Sequence, residues 1–169
     1  MKSTPQIRAA SAEDWPAIWP FFREIVTARE TYAYDPALTE EQARGLWMSP
    51  STARQSRTTV AVDADGTVLG SANMYPNRPG PGAHVASASF MVDASKRGKG
   101  VGRALCRDMI DWAGAEGFRS IQFNAVVETN ERAVKLWQDL GFQIIGTVPE
   151  AFRHPTKGFV GLHVMYRPL

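Results

Sequence analysis

The sequence predicts a single layered α/β domain, residues 1–169, with a mixed sheet of about seven strands and about four helices. Three observations lead there. The middle of the chain reads strand, helix, strand, helix, which calls for parallel pairing with helices packed on the sheet. Hairpins on either side of that unit add antiparallel strands. The 169 residues, 44% of them apolar, are enough for one sizeable core, and no repeat, low-complexity tract or charge block marks a second domain.

The elements follow in order. Ile7-Arg8-Ala9 reads as a short first strand. Ser11 is a helix N-cap with Asp14 three residues on, and Trp15, Ile18, Trp19, Phe22, Ile25 and Val26 recur behind it at helical spacing. Thr39 and Gln42 form a capping box for a second helix through Leu46 and Trp47. Residues 58–62 read as a strand, Asp65-Gly66 as a hairpin turn and 68–75 as the returning strand. Three prolines between Pro76 and Gly82 exclude ladder pairing and make a loop. Residues 84–92 are the next strand. A helix runs from Gly100 to about Glu116, with Val101, Leu105, Met109 and Trp112 on one face and Gly117 as its stop. Residues 120–127 are a strand. Residues 130–140 are a helix whose apolar side is Ala133, Val134, Leu136, Trp137 and Leu140, ended by Gly141. The last strands are 143–148 and 160–166, with a long loop over 150–159.

Composition excludes several classes of function. A net charge of +2 is too small to argue for nucleic-acid or membrane binding. No stretch approaches the ~18 uninterrupted apolar residues of a membrane span. Met1-Lys2-Ser3-Thr4-Pro5 leads into mixed polar sequence rather than an apolar signal core. Cys106 stands alone, so it forms no internal disulfide, which fits a reducing cytoplasm. It sits among Ala104, Leu105 and Met109 with no His or Asn nearby in sequence to activate it, and reads as a small core residue rather than a nucleophile.

The chemistry-bearing stretch is Arg97-Gly98-Lys99-Gly100-Val101-Gly102, between the central strand and a helix. Its three glycines let the backbone turn tightly and aim several N–H groups at one point. The start of the following helix adds free N–H groups and partial positive charge, and Arg97, Lys99 and Arg103 add full charges. The loop is a phosphate cradle. A nucleoside-triphosphate loop requires Ser or Thr after the lysine, but Gly100 follows Lys99. A dinucleotide fingerprint counted from Gly98 requires glycine at 103, which is Arg103. The remaining pattern, [Q/R]-x-x-G-x-[G/A], is met by Arg97, Gly100 and Gly102.

That pattern resembles the coenzyme A pyrophosphate loop of the GCN5-related N-acetyltransferase superfamily. A second signature of the family, N-x-x-A-x-x-[LF]-[YW]-x-x-x-G-F, is met by Asn130, Ala133, Leu136, Trp137, Gly141 and Phe142. The resemblance implies that the strand ending at Val92 and the strand through Phe123 splay apart to admit the pantetheine arm of acetyl-CoA. It implies that backbone groups of Phe90, Met91 and Val92 pair with that arm, one N–H (assigned here to Met91) holding the developing oxyanion. Residues Arg97, Gly98, Lys99, Gly100, Val101 and Gly102 would hold the pyrophosphate, and Asn130, Ala133 and Trp137 would line the cosubstrate. No metal is implied.

Many family members donate the leaving group's proton from a tyrosine where this chain has Trp137. An indole N–H is not a usable acid, so that role does not carry over. Tyr32, Tyr34 and Tyr75 are substitute acids. Glu30, between the first two helices, is the candidate base or amine binder, with His84 as another; His154 reads as exposed. Phe123-Asn124-Ala125-Val126-Val127 with Asn130, and the run from Gly146 to Arg153, resemble acetyltransferases that detoxify proline analogues such as azetidine-2-carboxylate. The resemblance implicates Asn124 in catalysis and acceptor binding; Ser87 stands where that group tends to have Asn. Phosphinothricin-type acetyltransferases resemble the 29–35 stretch. Tyr32, Tyr75, Ser87 and Asn124 are therefore the candidate acceptor contacts, and Arg78 or Arg153 a candidate carboxylate binder. The expected function is transfer of acetyl to a small amine such as an amino acid or analogue. A protein N-acetyltransferase and an inactive acyl-CoA sensor are the alternatives. The long 76–82 and 150–159 loops favour a covered acceptor site, and a homodimer is a possible assembly.

Overall fold

The computed structural model describes residues 4–50 and 55–169. Seven strands form one sheet in the order β1-β2-β3-β4-β5-β7-β6. They are β1 (Gln6–Ala9), β2 (Arg57–Val62), β3 (Val68–Pro76), β4 (Val85–Val92), β5 (Ser120–Val127), β6 (Gln143–His154) and β7 (Gly158–Pro168). The helices are α1 (Trp15–Ala28), α2 (Glu40–Met48), α3 (Val101–Ala115) and α4 (Glu131–Asp139). Every neighbouring pair is antiparallel except β4 with β5. The mixed seven-stranded sheet and four helices are those the sequence predicts.

The caps explain where helices begin. Asp14 accepts a hydrogen bond from Ser11 N–H at 2.8 Å and pairs with Arg8 at 2.7 Å, fixing the turn into α1. Thr39 and Gln42 form the reciprocal box that opens α2. Pro16 sits in the first turn of α1, where its missing N–H costs nothing, whereas Pro20 lies inside the helix. Each face of the sheet has its own core. Leu105, Cys106 and Met109 of α3 pack with Trp137, Phe142, Leu69, Ile121 and Met165 on one side. Trp15, Ile18, Phe22 and Trp47 of α1 and α2 pack with Val60, Val62 and Met91 on the other.

The expected loop over 150–159 is not there. β6 continues through Pro149 to His154, and β7 starts at Gly158, leaving residues 155–157 as the turn. The proline is tolerated because β6 is an edge strand and its pairing with β7 slips between Val148 and Phe152, where Glu150 takes φ 53°. A proline and a bulge read as loop in one dimension, although the ladder resumes beyond them. The connection is residues 77–84, with a short 3₁₀ turn at Gly80–Gly82; Pro76, expected in the loop, is instead the last residue of β3 and pairs with Ala86, its ring taking a strand-end position.

Candidate active site

β4 and β5 are joined at one end only, pairing Val85 with Ser120 and Ala86 with Ile121. Beyond Ala86 they part, as expected, and open a cleft of about 950 Å³ whose walls include Ser87, Phe90, Val92, Phe123, Asn124 and Val127. Asn77 N–H donates to Val85 O at 2.7 Å and Asp93 N–H to Leu69 O at 3.0 Å. The odd-numbered residues of β4 thus turn their backbone groups toward β3, and the even-numbered ones turn theirs into the cleft.

This alternation corrects the role expected of Met91. A Cβ placed on Gly70 would stand 2.8 Å from Met91 O, so that carbonyl lies on the β3 side. The Met91 side chain is 1% exposed and packs in the α1–α2 core. Its amide faces a neighbouring strand, so it is not available to an oxyanion. Phe90 and Val92 are the cleft-facing residues of the trio.

The Phe90 backbone is engaged by Tyr32. The Tyr32 hydroxyl donates to Phe90 O at 2.6 Å and accepts from Phe90 N–H at 2.8 Å. Tyr32 stacks on Tyr34 with ring centroids 5.5 Å apart, and Tyr34 stacks on Phe22 at 5.9 Å. Burial pushes both phenols above the ordinary tyrosine range. At neutral pH both keep their protons, as hydrogen-bonding groups of the wall. Tyr75 and Ser87 are cross-strand partners on the same face and also line the cleft, as does Glu30.

At the other end stands the glycine loop. Gly98 and Gly100 take φ 83° and 72°, and Gly100 is the N-cap of α3 with no side chain bonded across that terminus. Arg97, Gly98, Gly100, Val101 and Gly102 line the cleft together with Lys96 and Arg103. Lys99 does not: it is exposed and lies outside the wall, because the left-handed turns on either side direct it away. Asn130 caps α4, its Oδ1 accepting from Ala133 N–H at 3.4 Å, and lines the cleft with Ala133 and Leu136. Trp137 is 8% exposed, with its ring 4.9 Å from Phe90 and 5.4 Å from Phe123.

Asn124 lies where the pairing of β5 with β7 slips between Phe123 and Val126. The side chain is exposed. Its Nδ2 donates to Asn77 Oδ1 at 2.6 Å and its Oδ1 accepts from Gln122 Nε2 at 2.9 Å. His154 was expected to be exposed but is 8% exposed in the cleft wall, where its Nδ1 accepts from the N–H groups of Thr156 and Lys157, both at 3.2 Å. His84 is exposed at the joined end of β4, outside the wall. Arg78 and Arg153 are also outside it; Arg78 bonds Asn77 O and Arg153 lies over the Phe159 ring. No residue from 76 to 82 lines the cleft among the described residues.

Sequence reasoning missed Lys96, Arg132, Thr156 and Lys157, which all line the cleft. Lys96 adjoins the glycine loop, but nothing local marks the other three, since α4 and the β6–β7 turn reach the cleft only through the fold. With them the wall carries Lys96, Arg97, Arg103, Arg132 and Lys157 against a single carboxylate, Glu30, among the described residues. A cleft with that imbalance, leading to an uncapped helix N-terminus, fits a polyanionic extended ligand such as acetyl-CoA. No group of three or more His, Cys, Asp or Glu side chains is placed to hold a metal ion among the described residues.

The sequence profile of the Acetyltransferase (GNAT) family matches residues 15–142. The chain belongs to that family. It is 79% identical to a GCN5-related N-acetyltransferase from Kribbella flavida, with TM-score 0.95 over 98% of both chains. It is 30% identical over 145 residues to the L-methionine sulfoximine/L-methionine sulfone acetyltransferase of Pseudomonas paraeruginosa, covering 85% of this chain and 83% of that one. A phosphinothricin acetyltransferase from Sinorhizobium meliloti, solved in complex with acetyl-CoA, is 25% identical with TM-score 0.88, covering 99% of this chain and 89% of that one. The GNAT chain described here is an acetyl-CoA-dependent acyltransferase.

Proposed function

We propose that this acetyltransferase acetylates the amine of a small molecule of the amino-acid-analogue class. The observation that carries the reading is the mixed lining of the cleft. Beside the cations of the glycine loop, the start of α4 and the β6–β7 turn, its wall holds Tyr32, Tyr34, Tyr75, Ser87 and Asn124. Those hydroxyl, aromatic and amide groups suit a compact polar acceptor, and Glu30 is the wall's one carboxylate among the described residues, placed for an ammonium group. The names of the methionine sulfoximine and phosphinothricin relatives support the same class of acceptor. Covering loops do not contribute to the acceptor site as expected: residues 150–159 form a hairpin, and 76–82 stand outside the wall.

The reaction is a direct transfer. The acceptor's ammonium loses a proton to Glu30 or to water, and the neutral nitrogen's lone pair forms the new C–N bond. The carbonyl pair moves onto oxygen, where a cleft-facing β4 amide stabilises it, and returns as the C–S bond breaks. Sulfur leaves as thiolate and the nitrogen sheds its second proton. With a thiol pKa of ~8.5, departure without an acid costs about 2 kcal/mol at pH 7. One good hydrogen bond to the sulfur is enough to offset that, so the absence of a tyrosine at 137 does not prevent turnover. Arg97, Gly98, Gly100, Val101 and Gly102 hold the pyrophosphate in this reading, Asn130 bonds the pantetheine arm, and Asn124 orients the acceptor.

The test is release of free thiol from acetyl-CoA against proline analogues, common amino acids, methionine sulfoximine, phosphinothricin, polyamines, aminoglycosides and short peptides. Turnover of an amino-acid analogue, reduced at least ten-fold by Asn124→Ala, is the expected result. Turnover confined to peptides would transfer the reading to a protein acceptor.

A further inference from the structure

The cleft-facing position of β4 at Phe90 is filled by the chain itself. One phenol supplies both the acceptor for Phe90 N–H, at 2.8 Å, and the donor for Phe90 O, at 2.6 Å. An incoming strand or an amide-bearing ligand would satisfy the same two groups. We infer that Tyr32 Oη marks the site of the thioester carbonyl oxygen, held on Phe90 N–H, and that acetyl-CoA displaces this hydroxyl when it binds.

The geometry supports the assignment at each point. A distance of 2.8 Å lies within the range an oxyanion donor requires. Phe90 lies beyond Ala86, where β4 and β5 have parted, and its ring meets Trp137 and Phe123 in the cleft wall. Met91 is excluded as donor by its orientation toward β3, which leaves Phe90 as the cleft-facing amide already holding an oxygen atom. Tyr32 belongs to the non-helical connection between α1 and α2, so it can withdraw without breaking a helix. A carbonyl replaces only the accepting half of the phenol. Phe90 O is then open to an N–H donor on the ligand.

The inference rests on acetyl-CoA use alone and not on the small-amine reading, so failure of either leaves the other standing.

Tyr32→Phe tests it, since the variant keeps the ring and its stacking while losing the oxygen. Acetyl-CoA and CoA are titrated separately into wild type and variant by calorimetry. The expected result is acetyl-CoA binding about five-fold or more tighter in the variant, because two competing hydrogen bonds are gone. CoA, which has no thioester carbonyl, gains less. Weaker or unchanged acetyl-CoA binding, or equal gains for the two ligands, overturns the inference. Hydrogen exchange at the Phe90 amide gives a second readout. It should quicken in the free variant and slow again with acetyl-CoA; an amide left unprotected by acetyl-CoA overturns the inference even if affinities shift.

Discussion

The same substitution at two glycines of α3 should have opposite effects. Gly100 takes φ 72° at the helix N-cap, whereas Gly114 lies inside the helix; a Cβ added at either one meets nothing within 4 Å. Sterics beyond the backbone are therefore absent from both, and conformation alone decides the sign. Gly100→Ala forces an L-residue into the left-handed region at about 1–2 kcal/mol. Gly114→Ala removes unfolded-chain freedom at a position where alanine fits, worth about 0.5–1 kcal/mol of stabilisation. The two variants should differ by about 1.5–3 kcal/mol, readable by urea denaturation. Where Gly100→Ala relieves its strain by moving the loop, the N–H groups opening α3 lose their aim. Acetyl-CoA affinity should then fall about ten-fold, the worth of one hydrogen bond to a charged group, while Gly114→Ala binds as wild type. Equal stability of the two variants together with undiminished acetyl-CoA affinity in Gly100→Ala would refute the cradle argument.

Trp137→Phe should lower kcat by less than about ten-fold without moving the pH profile, since an indole is no acid, whereas Trp137→Ala should cost about 3–5 kcal/mol in urea unfolding through the cavity it leaves against Phe90 and Phe123. The Arg8 guanidinium, then the Ser11 N–H, holds the Asp14 carboxyl below the usual carboxylate range. A depressed folded pKa means its stabilisation is present above the unfolded pKa of ~3.9 and fades as pH falls through the folded value. Asp14→Asn should thus cost about 1 kcal/mol at neutral pH, with the gap to wild type narrowing in acid; a gap that persists at the lowest pH would refute the assignment. Burial pushes the Cys106 thiol up to about 12, so a thiol reagent should leave the native protein unmodified and label it only on unfolding. Gly70→Ala should destabilise the β3–β4 pair and disturb the cleft, because its Cβ would stand 2.8 Å from Met91 O and 3.0 Å from Val101 Cγ1.

Local signals settled most of the architecture from sequence alone. Capping boxes, glycine stops and hydrophobic period are written in neighbouring residues, so Thr39 with Gln42, Gly141, and the strand at 120–127 fell where the structure has them. The glycine loop that opens α3 and lines the cleft was legible for the same reason, since it lies in six consecutive residues. Lys99 was misplaced because composition names a loop's residues but not the direction each left-handed glycine imparts to its neighbour. Met91 was misassigned because an amide's direction depends on which edge of β4 already has a partner, and that is set by register with β3. The cations of α4 and the β6–β7 turn, the buried His154 and the Tyr32 contact with Phe90 depend on residues far apart in the chain. Short-range chemistry thus determined the elements of the fold and its glycine loop. Only tertiary structure, through strand alternation and long-range packing, decided which backbone groups face the cleft and which side chains meet there.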